Sequence, residues 1–134
     1  FGELHYTLRT WTVKQMETLQ QQIENSVLAI AQKHHLQVTL DWFDYFPTVA
    51  NDAFCNRIIT QAARKSGLKI VEKPTPFRFG EDFGWFSQNC PAAMFGLGAG
   101  ENSPALHHAD YDFPDALLES GMAMFREIIT SMLK

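Results

Sequence analysis

The chain has 134 residues, of which 46% are hydrophobic and 19% are charged, and its formal net charge is −4. These values are typical of a folded domain and argue against a disordered chain. No basic cluster exceeds Arg64-Lys65 and no apolar run approaches the length of a membrane span, so neither a nucleic-acid-binding protein nor a membrane protein is expected. The first residue is Phe1, at the edge of a predicted strand, which suggests a piece of a longer protein.

The first predicted elements form a β-α-β unit. Residues 3–10 alternate apolar and polar side chains, which is typical of a half-buried strand. Thr12 and Gln15 form a capping box, and apolar residues then recur at helical spacing to about His34. A second alternating segment, 37–45, predicts another strand. Because two strands and one helix are marginal alone, we expect further strands to be supplied from elsewhere.

The second half of the chain predicts a layered α/β fold. Asn51 or Asp52 can cap its first helix, and Gly67 can end it. The α-β-α-β-α order is typical of a parallel sheet covered by helices. The predicted elements are, in order, a helix over about 53–66, a strand at 68–72, a short helix at 81–89, a strand at 92–98 and a helix that begins at Pro114.

Two loops follow predicted strands and form the candidate site. Loop 73–82 follows the strand 68–72, and loop 99–113 follows the strand 92–98 and contains His107 and His108. Ligands of α/β sheets bind at the carboxyl ends of the strands. We therefore expect a ligand site where these two loops meet.

Each candidate side chain also has a plainer interpretation. His107 is either a metal ligand or a solvated loop residue, and nothing in the chain completes a site of three or more ligands. Asp110 and Asp112 either contribute to such a site or cap the last helix. The pair Glu81-Asp82 either complements a helix dipole or forms a hydrogen-bonding wall of a substrate pocket.

Two further features allow alternatives. Arg9 is either a solvated residue of a sheet face or a ligand of a substrate carboxylate. Cys55 and Cys90 do not form a CxxC pair, and we interpret them as inert thiols of a cytoplasmic protein, with a single disulfide as the alternative.

Several segments carry a resemblance to a known family: "FGEDFGWF", "AAMFGLGAG" and "LHHADYDFPDALLESG", together with "LRTW" and "YFPTVAND". In this order they resemble the C-terminal end of the M-twenty metallopeptidases. The branch they resemble contains hippurate hydrolases, N-acyl-amino-acid amidohydrolases and auxin-conjugate hydrolases. The resemblance implies that residues 1–47 are part of an α+β lid (dimerisation) domain. It implies that residues 48–134 end a layered α/β catalytic domain of the zinc-peptidase type.

The resemblance also implies roles for particular residues. His107 matches the last metal ligand of the family, and Asp110 or Asp112 would be the hydrogen-bond partner of its second ring nitrogen. Part of the substrate pocket would be formed by the residues Gly80, Glu81, Asp82 and Phe83, with Arg9 as a further candidate. The sequence departs from the family pattern at Phe79, His108 and Ala109.

The implied activity is hydrolysis of the amide bond of N-acyl amino acids or related conjugates. Two divalent ions (Zn, Mn, Co or Ni) would lower the pKa of a bridging water toward about 7. The other ligands and the glutamate general base would lie outside this sequence. We therefore expect no catalytic residue in this chain, weak metal binding and no activity of the chain alone. The implied partners are a small-molecule amide substrate and a second copy bound through the lid.

Two other functions remain open. The chain could be a non-catalytic binding or oligomerisation module derived from the same fold. It could also be an unrelated α/β enzyme with a complete site, but the sequence offers neither a second ligand cluster nor a nucleophile–base pair.

Overall fold

Helices are the regular elements of the computed structural model, which describes residues 1–77 and 81–133. The described residues divide into two units, one formed by 1–49 and 81–89 and the other by 50–77 and 90–133. Within the described ranges, no helix is both long enough and apolar enough to cross a membrane. The helices are α1 (Val13–Lys33), α2 (Ala53–Lys65), α3 (Gly84–Ser87) and α4 (Ala116–Met132).

Helix α1 has the predicted capping box at its start. The Thr12 hydroxyl accepts a hydrogen bond from the Gln15 N–H at 3.1 Å, and the Gln15 side chain accepts one from the Trp11 N–H at 3.2 Å. At the other end His35 adopts a left-handed conformation, with φ 54°. The Leu36 N–H then donates to the Ala31 carbonyl at 2.9 Å, which closes the helix. The capping box and the end near His34 are confirmed.

Helix α2 also begins and ends as the sequence predicts. The Asp52 carboxylate accepts from the N–H groups of Phe54 and Cys55 at 2.8 and 2.9 Å. Gly67 ends the helix with φ 68°, and the Leu68 N–H donates to the Ala63 carbonyl at 2.9 Å. An acidic cap and a left-handed glycine thus satisfy backbone groups that the helix itself leaves unpaired.

Helices α2 and α4 pack together around the core of the second unit. Ala62, Ala63 and Met124 are buried there, and the two small alanines leave room for the methionine. Helix α4 begins at Ala116 rather than at Pro114. Pro114 lies in the turn before the helix, where its carbonyl accepts a hydrogen bond from the Leu117 N–H at 2.9 Å. Partly buried apolar residues complete this core: Ile59, Leu68, Phe95, Leu97 and Ile128.

The four predicted strands are not formed in the part of the chain that the structure describes. The segments concerned are 3–10, 37–45, 68–72 and 92–98, so the predicted α/β layering is not seen there. A strand needs a neighbour that pairs with its backbone N–H and C=O groups. A small number of short strands is seldom stable as a sheet without further strands or packed helices. Leu68, Phe95 and Leu97 are partly buried and pack against the core of the helices, whereas Ile70 and Val71 of the same segments are exposed.

The first unit joins α1 to the aromatic segment that precedes α2. The Trp42 indole donates to the Glu24 carboxylate of α1 at 2.8 Å. The Tyr45 and Trp85 rings meet edge to face, with centroids 5.8 Å apart. Pro47 and Gly84 are buried beside one another. The first unit therefore depends on side-chain contacts between segments that are distant in sequence.

Candidate functional site

His107 has an unusual backbone conformation within the loop 99–113. Its φ is +69°, in the left-handed region, and its side chain is exposed. Two turns follow one another here, because the His108 N–H donates to the Ala105 carbonyl and the Tyr111 N–H donates to the His108 carbonyl, both at 3.0 Å. Left-handed conformations cost a non-glycine residue about 1 kcal/mol and concentrate at functional sites.

The neighbouring histidine, His108, pairs with Asp110. The Asp110 N–H donates to His108 Nδ1 at 3.2 Å, and Asp110 Oδ2 lies 3.7 Å from the same nitrogen. The described contact of Asp110 is therefore with His108. The expectation that Asp110 or Asp112 orients His107 stays a prediction.

Glu81 lies in the turn that precedes α3, and only one of its carboxylate oxygens has a hydrogen-bond partner among the described residues. Its Oε2 accepts from the Phe83 N–H at 3.0 Å. Its Oε1 is buried, and no hydrogen-bond partner for it occurs among the described residues. Buried polar atoms are nearly always paired in native proteins, so an unpaired one needs a reason. A donor from a bound molecule is one such reason.

The other candidate pocket residues have less distinctive surroundings. Asp82 is exposed, and its carbonyl accepts from the Trp85 N–H at 3.0 Å in the turn that leads into α3. The Phe83 ring lies 5.7 Å from the Phe86 ring, centroid to centroid. Arg9 is exposed in a segment that precedes α1. Gly80 lies outside the described residues.

These candidates belong to different units. His107, Asp110 and Asp112 are in the second unit, whereas Arg9 and residues 81–83 are in the first. Within the described residues, no group of three or more histidine, cysteine, aspartate or glutamate side chains could hold a metal ion. The described residues therefore do not complete a metal site, and His107 supplies at most one donor.

A shallow groove of about 290 Å³ runs along the start of α1 and contains none of the candidate residues. Its lining residues, among them Thr12, Thr18 and Gln22, all belong to one helix and the residue that caps it. We therefore interpret the groove as a gap between neighbouring side chains on the surface of that helix.

Sequence reasoning missed two features of the loops. One is the unpaired oxygen of Glu81, since a sequence pattern does not reveal which carboxylate oxygen is enclosed. The other is Asn51, whose side-chain amide bonds to both backbone groups of Met94. In the sequence, the contact of Asn51 with Met94 was indicated only by the position of an asparagine next to the helix cap Asp52.

Comparison with known proteins places the chain in a family. Residues 4–131 match the profile described as Peptidase family M20/M25/M40. The chain is 32% identical, over 90% of its length, to an N-acetyldiaminopimelate deacetylase of Lacticaseibacillus paracasei. It is 24% identical over 97% of its length to an uncharacterized hydrolase of Staphylococcus saprophyticus, and 29% identical over 87% to a probable hydrolase of Synechocystis.

The chain covers only 35%, 32% and 31% of the Staphylococcus, Lacticaseibacillus and Synechocystis proteins, about a third of each. No solved structure matches it. Peptidases of the matched family are generally metal-dependent, and the relatives are named as hydrolases or as a deacetylase. The family resemblance is thereby confirmed, whereas the hippurate hydrolase branch is not shown. With nearly its whole length matched, the chain belongs to the peptidase family M20/M25/M40.

Proposed function

We propose that this chain is part of a metal-dependent amidohydrolase that cleaves the amide bond of N-acyl amino acids or related conjugates. The observation that carries the proposal is the family match, which extends over residues 4–131 and so includes both candidate loops. The 32% identity to a protein named N-acetyldiaminopimelate deacetylase supports an N-acyl substrate. The hippurate, N-acyl-amino-acid and other conjugate hydrolases stay within this proposal.

His107 is the metal donor that we assign to this chain. Its imidazole is exposed, so a ring nitrogen is accessible to an ion, and its left-handed backbone sets it apart from the neighbouring loop residues. A divalent ion of the family type (Zn, Mn, Co or Ni, two per site) polarises the amide carbonyl and lowers the pKa of bound water when present. Because three or more donors are needed, the remaining ligands and the general base come from another part of the protein.

Glu81 is the pocket residue with the best structural support. One carboxylate oxygen is held by the Phe83 N–H, which fixes the orientation of the group. The other oxygen is buried with no partner among the described residues, and it is an acceptor for an N–H or O–H group of a substrate. Asp82, Phe83 and Gly80 extend this wall in the proposal. Arg9 is proposed as a ligand of a substrate carboxylate because a guanidinium binds carboxylates with two parallel hydrogen bonds.

The complete protein is proposed to have the architecture that the sequence predicts. Strands from elsewhere in the protein would pair with the segments 68–72 and 92–98 and produce the α/β layering. Residues 1–47 would be part of a lid that closes over the substrate and joins two copies, and residues 48–134 would end the catalytic domain. A cytoplasmic location is part of the same proposal.

Metal binding by the full-length protein tests the role of His107. We expect His107→Ala to reduce metal content and to abolish hydrolysis of a panel of N-acyl amino acids. The matched control is His35→Ala, which removes an exposed histidine that also has a positive φ. Full metal content and activity in His107→Ala would contradict the proposal, as would an equal loss in both variants.

Calorimetry on the 134-residue chain tests whether its site is incomplete. Titration with zinc or manganese should give weak binding that is equal in the wild type and in His108→Ala. A sub-micromolar dissociation constant for the isolated chain would contradict the view that the chain holds only one ligand.

A non-catalytic interaction module is the second candidate, and exposed aromatic side chains in the first unit favour it. Tyr6, Trp11 and Phe43 are 82%, 67% and 71% exposed. Such a module predicts that His107→Ala changes neither metal content nor partner binding, whereas Phe43→Ala weakens association. Because the hydrolase proposal also joins two copies through residues 1–47, only the His107→Ala result separates the two functions.

A further inference from the structure

Two segments that are distant in sequence are joined at the start of α2. The Asp52 N–H donates to the Ala92 carbonyl at 2.8 Å. The Asn51 side chain donates to the Met94 carbonyl at 2.8 Å and accepts from the Met94 N–H at 2.9 Å. Residue 94 therefore lies beside residue 51, and residue 92 lies beside residue 52.

The same register places both cysteines near the start of α2. Cys90 is two residues from Ala92, whose carbonyl accepts from the Asp52 N–H, so it lies near the start of α2. Cys55 lies in the first turn of α2, where its N–H donates to the Asp52 carboxylate at 2.9 Å. Beyond burial, the Cys90 thiol is one of the groups that raise the pKa of Cys55, which agrees with this placement. Neither cysteine is in a disulfide in this structure.

We propose that Cys55 and Cys90 form a reversible intramolecular disulfide when the protein meets a low-molecular-weight disulfide such as oxidised glutathione. The Cys90 thiolate attacks one sulfur of the small disulfide, whose S–S bond breaks and releases one glutathione thiol. Cys55 then loses its proton to solvent and attacks the Cys90 sulfur, and the second glutathione leaves. The two protein thiols are oxidised, and the small disulfide is reduced to two thiols.

The two cysteines differ in a way that sets the order of these steps. Cys90 is exposed, so the small disulfide reaches it first. Burial raises the pKa of the Cys55 thiol, and a hydrogen bond with Asp52 raises it further. Cys55 is therefore the slower nucleophile, which suits the residue that resolves a mixed disulfide already held beside it.

The disulfide would tie the segment that leads into the His107 loop to helix α2. Asn51 and Asp52 already fasten this segment to the start of α2 by hydrogen bonds. A covalent link between these positions restricts the unfolded chain and should raise the melting temperature of the oxidised protein. Oxidation would therefore stiffen the support of the candidate site without changing any residue proposed to act in it.

Thiol counting and peptide mapping test the proposal. The protein is incubated with oxidised glutathione, denatured, and treated with a maleimide. We expect the number of reactive thiols to fall by two, and digestion without reductant to yield one peptide pair joined through Cys55 and Cys90. The melting temperature should rise and should return to its starting value with dithiothreitol.

Single-cysteine variants distinguish the proposed order from other outcomes. Cys55→Ser should retain a stable glutathione adduct at Cys90, whereas Cys90→Ser should react much more slowly. A stable adduct at Cys90 of the wild type would overturn the proposal, because it would mean that Cys55 cannot reach it. A Cys90–Cys90 link between two copies would overturn it as well. Peptide mapping of the wild type decides the question even if a variant fails to fold.

Discussion

The Asn51 side chain bonds to both backbone groups of Met94, at 2.8 Å to the carbonyl and 2.9 Å to the N–H. A primary amide has an acceptor oxygen and a donor nitrogen on the same carbon. It can therefore form hydrogen bonds with both the N–H and the C=O of one residue, as a neighbouring strand does. This contact joins the start of α2 to the segment that leads into the His107 loop. It provides hydrogen-bond partners for the Met94 backbone, which has no neighbouring strand among the described residues.

Asn51→Ala should destabilise the second unit by about 1 kcal/mol, because both backbone groups of Met94 lose their partner at an exposed site, where water replaces part of the loss. Asn51→Asp should also destabilise it, since a carboxylate can accept from the Met94 N–H but places a second acceptor oxygen against the Met94 carbonyl. The control is Asn56→Ala, which removes a side chain that bonds to Asn51 at 3.1 Å but leaves the contact with Met94 intact. Urea unfolding followed by circular dichroism measures all three, and equal midpoints for Asn51→Ala and Asn56→Ala would contradict the prediction.

Gly84→Ala should destabilise the first unit by about 1–3 kcal/mol, because a buried position that is already filled must make room for a methyl group. A Cβ at this glycine would overlap the carbonyl oxygen of Pro47, which is backbone and has little freedom to shift. Gly98→Ala is the control, since no atom lies within 4 Å of the Cβ position there. Thermal unfolding should separate the two variants. An unchanged melting temperature for Gly84→Ala would show that the two segments are not in contact in solution.

Asp52 should make the stability of α2 depend on pH. Hydrogen bonding, first from the Cys55 N–H, lowers the pKa of this carboxyl below its usual value. Because the folded pKa is the lower one, the stabilisation is complete above the unfolded pKa of about 4 and is lost as the pH falls through the folded value.

Asp52→Asn should keep the cap but remove this contribution to acid sensitivity, because asparagine caps helices as well as aspartate and does not titrate in this range. Asp52→Ala should lower the free energy of unfolding at neutral pH, and it should also remove the contribution of Asp52 to the acid sensitivity. Urea unfolding of the three proteins at neutral pH and near pH 3 tests this. An identical acid dependence in the wild type and in Asp52→Asn would contradict it.

His107→Gly should leave the free energy of unfolding unchanged or raise it by up to about 1 kcal/mol, because glycine adopts a positive φ without steric cost. His107→Val should lower it by about 1–2 kcal/mol, since a β-branched residue is rarely found in this conformation. His35→Gly and His35→Val form the matched pair at the other histidine with a positive φ, 54° against 69°. Chemical unfolding of the four variants tests this, and a valine that is tolerated at position 107 would show that the loop adopts another backbone conformation.

The ends of α1 and α2 could be predicted because they depend on neighbouring residues, whereas the short helix predicted at 81–89 is formed only over Gly84–Ser87. Thr12 with Gln15, Asp52 before α2 and Gly67 after it act within a few positions of chain, and the structure has each in the predicted role. The start of α4 was wrong by a small margin, because proline at a first turn is a preference and several backbone positions satisfy it. The family could also be identified from the sequence, since its motifs occur in order along nearly the whole chain.

Strand pairing and the surroundings of the site could not be predicted, because they depend on atoms that are distant in sequence. The alternating segments 3–10 and 37–45 carry a strand pattern, but a ladder also needs a partner edge, and the described residues offer none. Sequence alone identified His107, Glu81 and Asp110 as candidates. Only the tertiary structure left one oxygen of Glu81 buried and unpaired among the described residues. The contact of Asp110 with His108 and the left-handed backbone of His107 are local, but no sequence pattern revealed them. Local chemistry determines which residues can act, whereas packing decides which groups each of them faces.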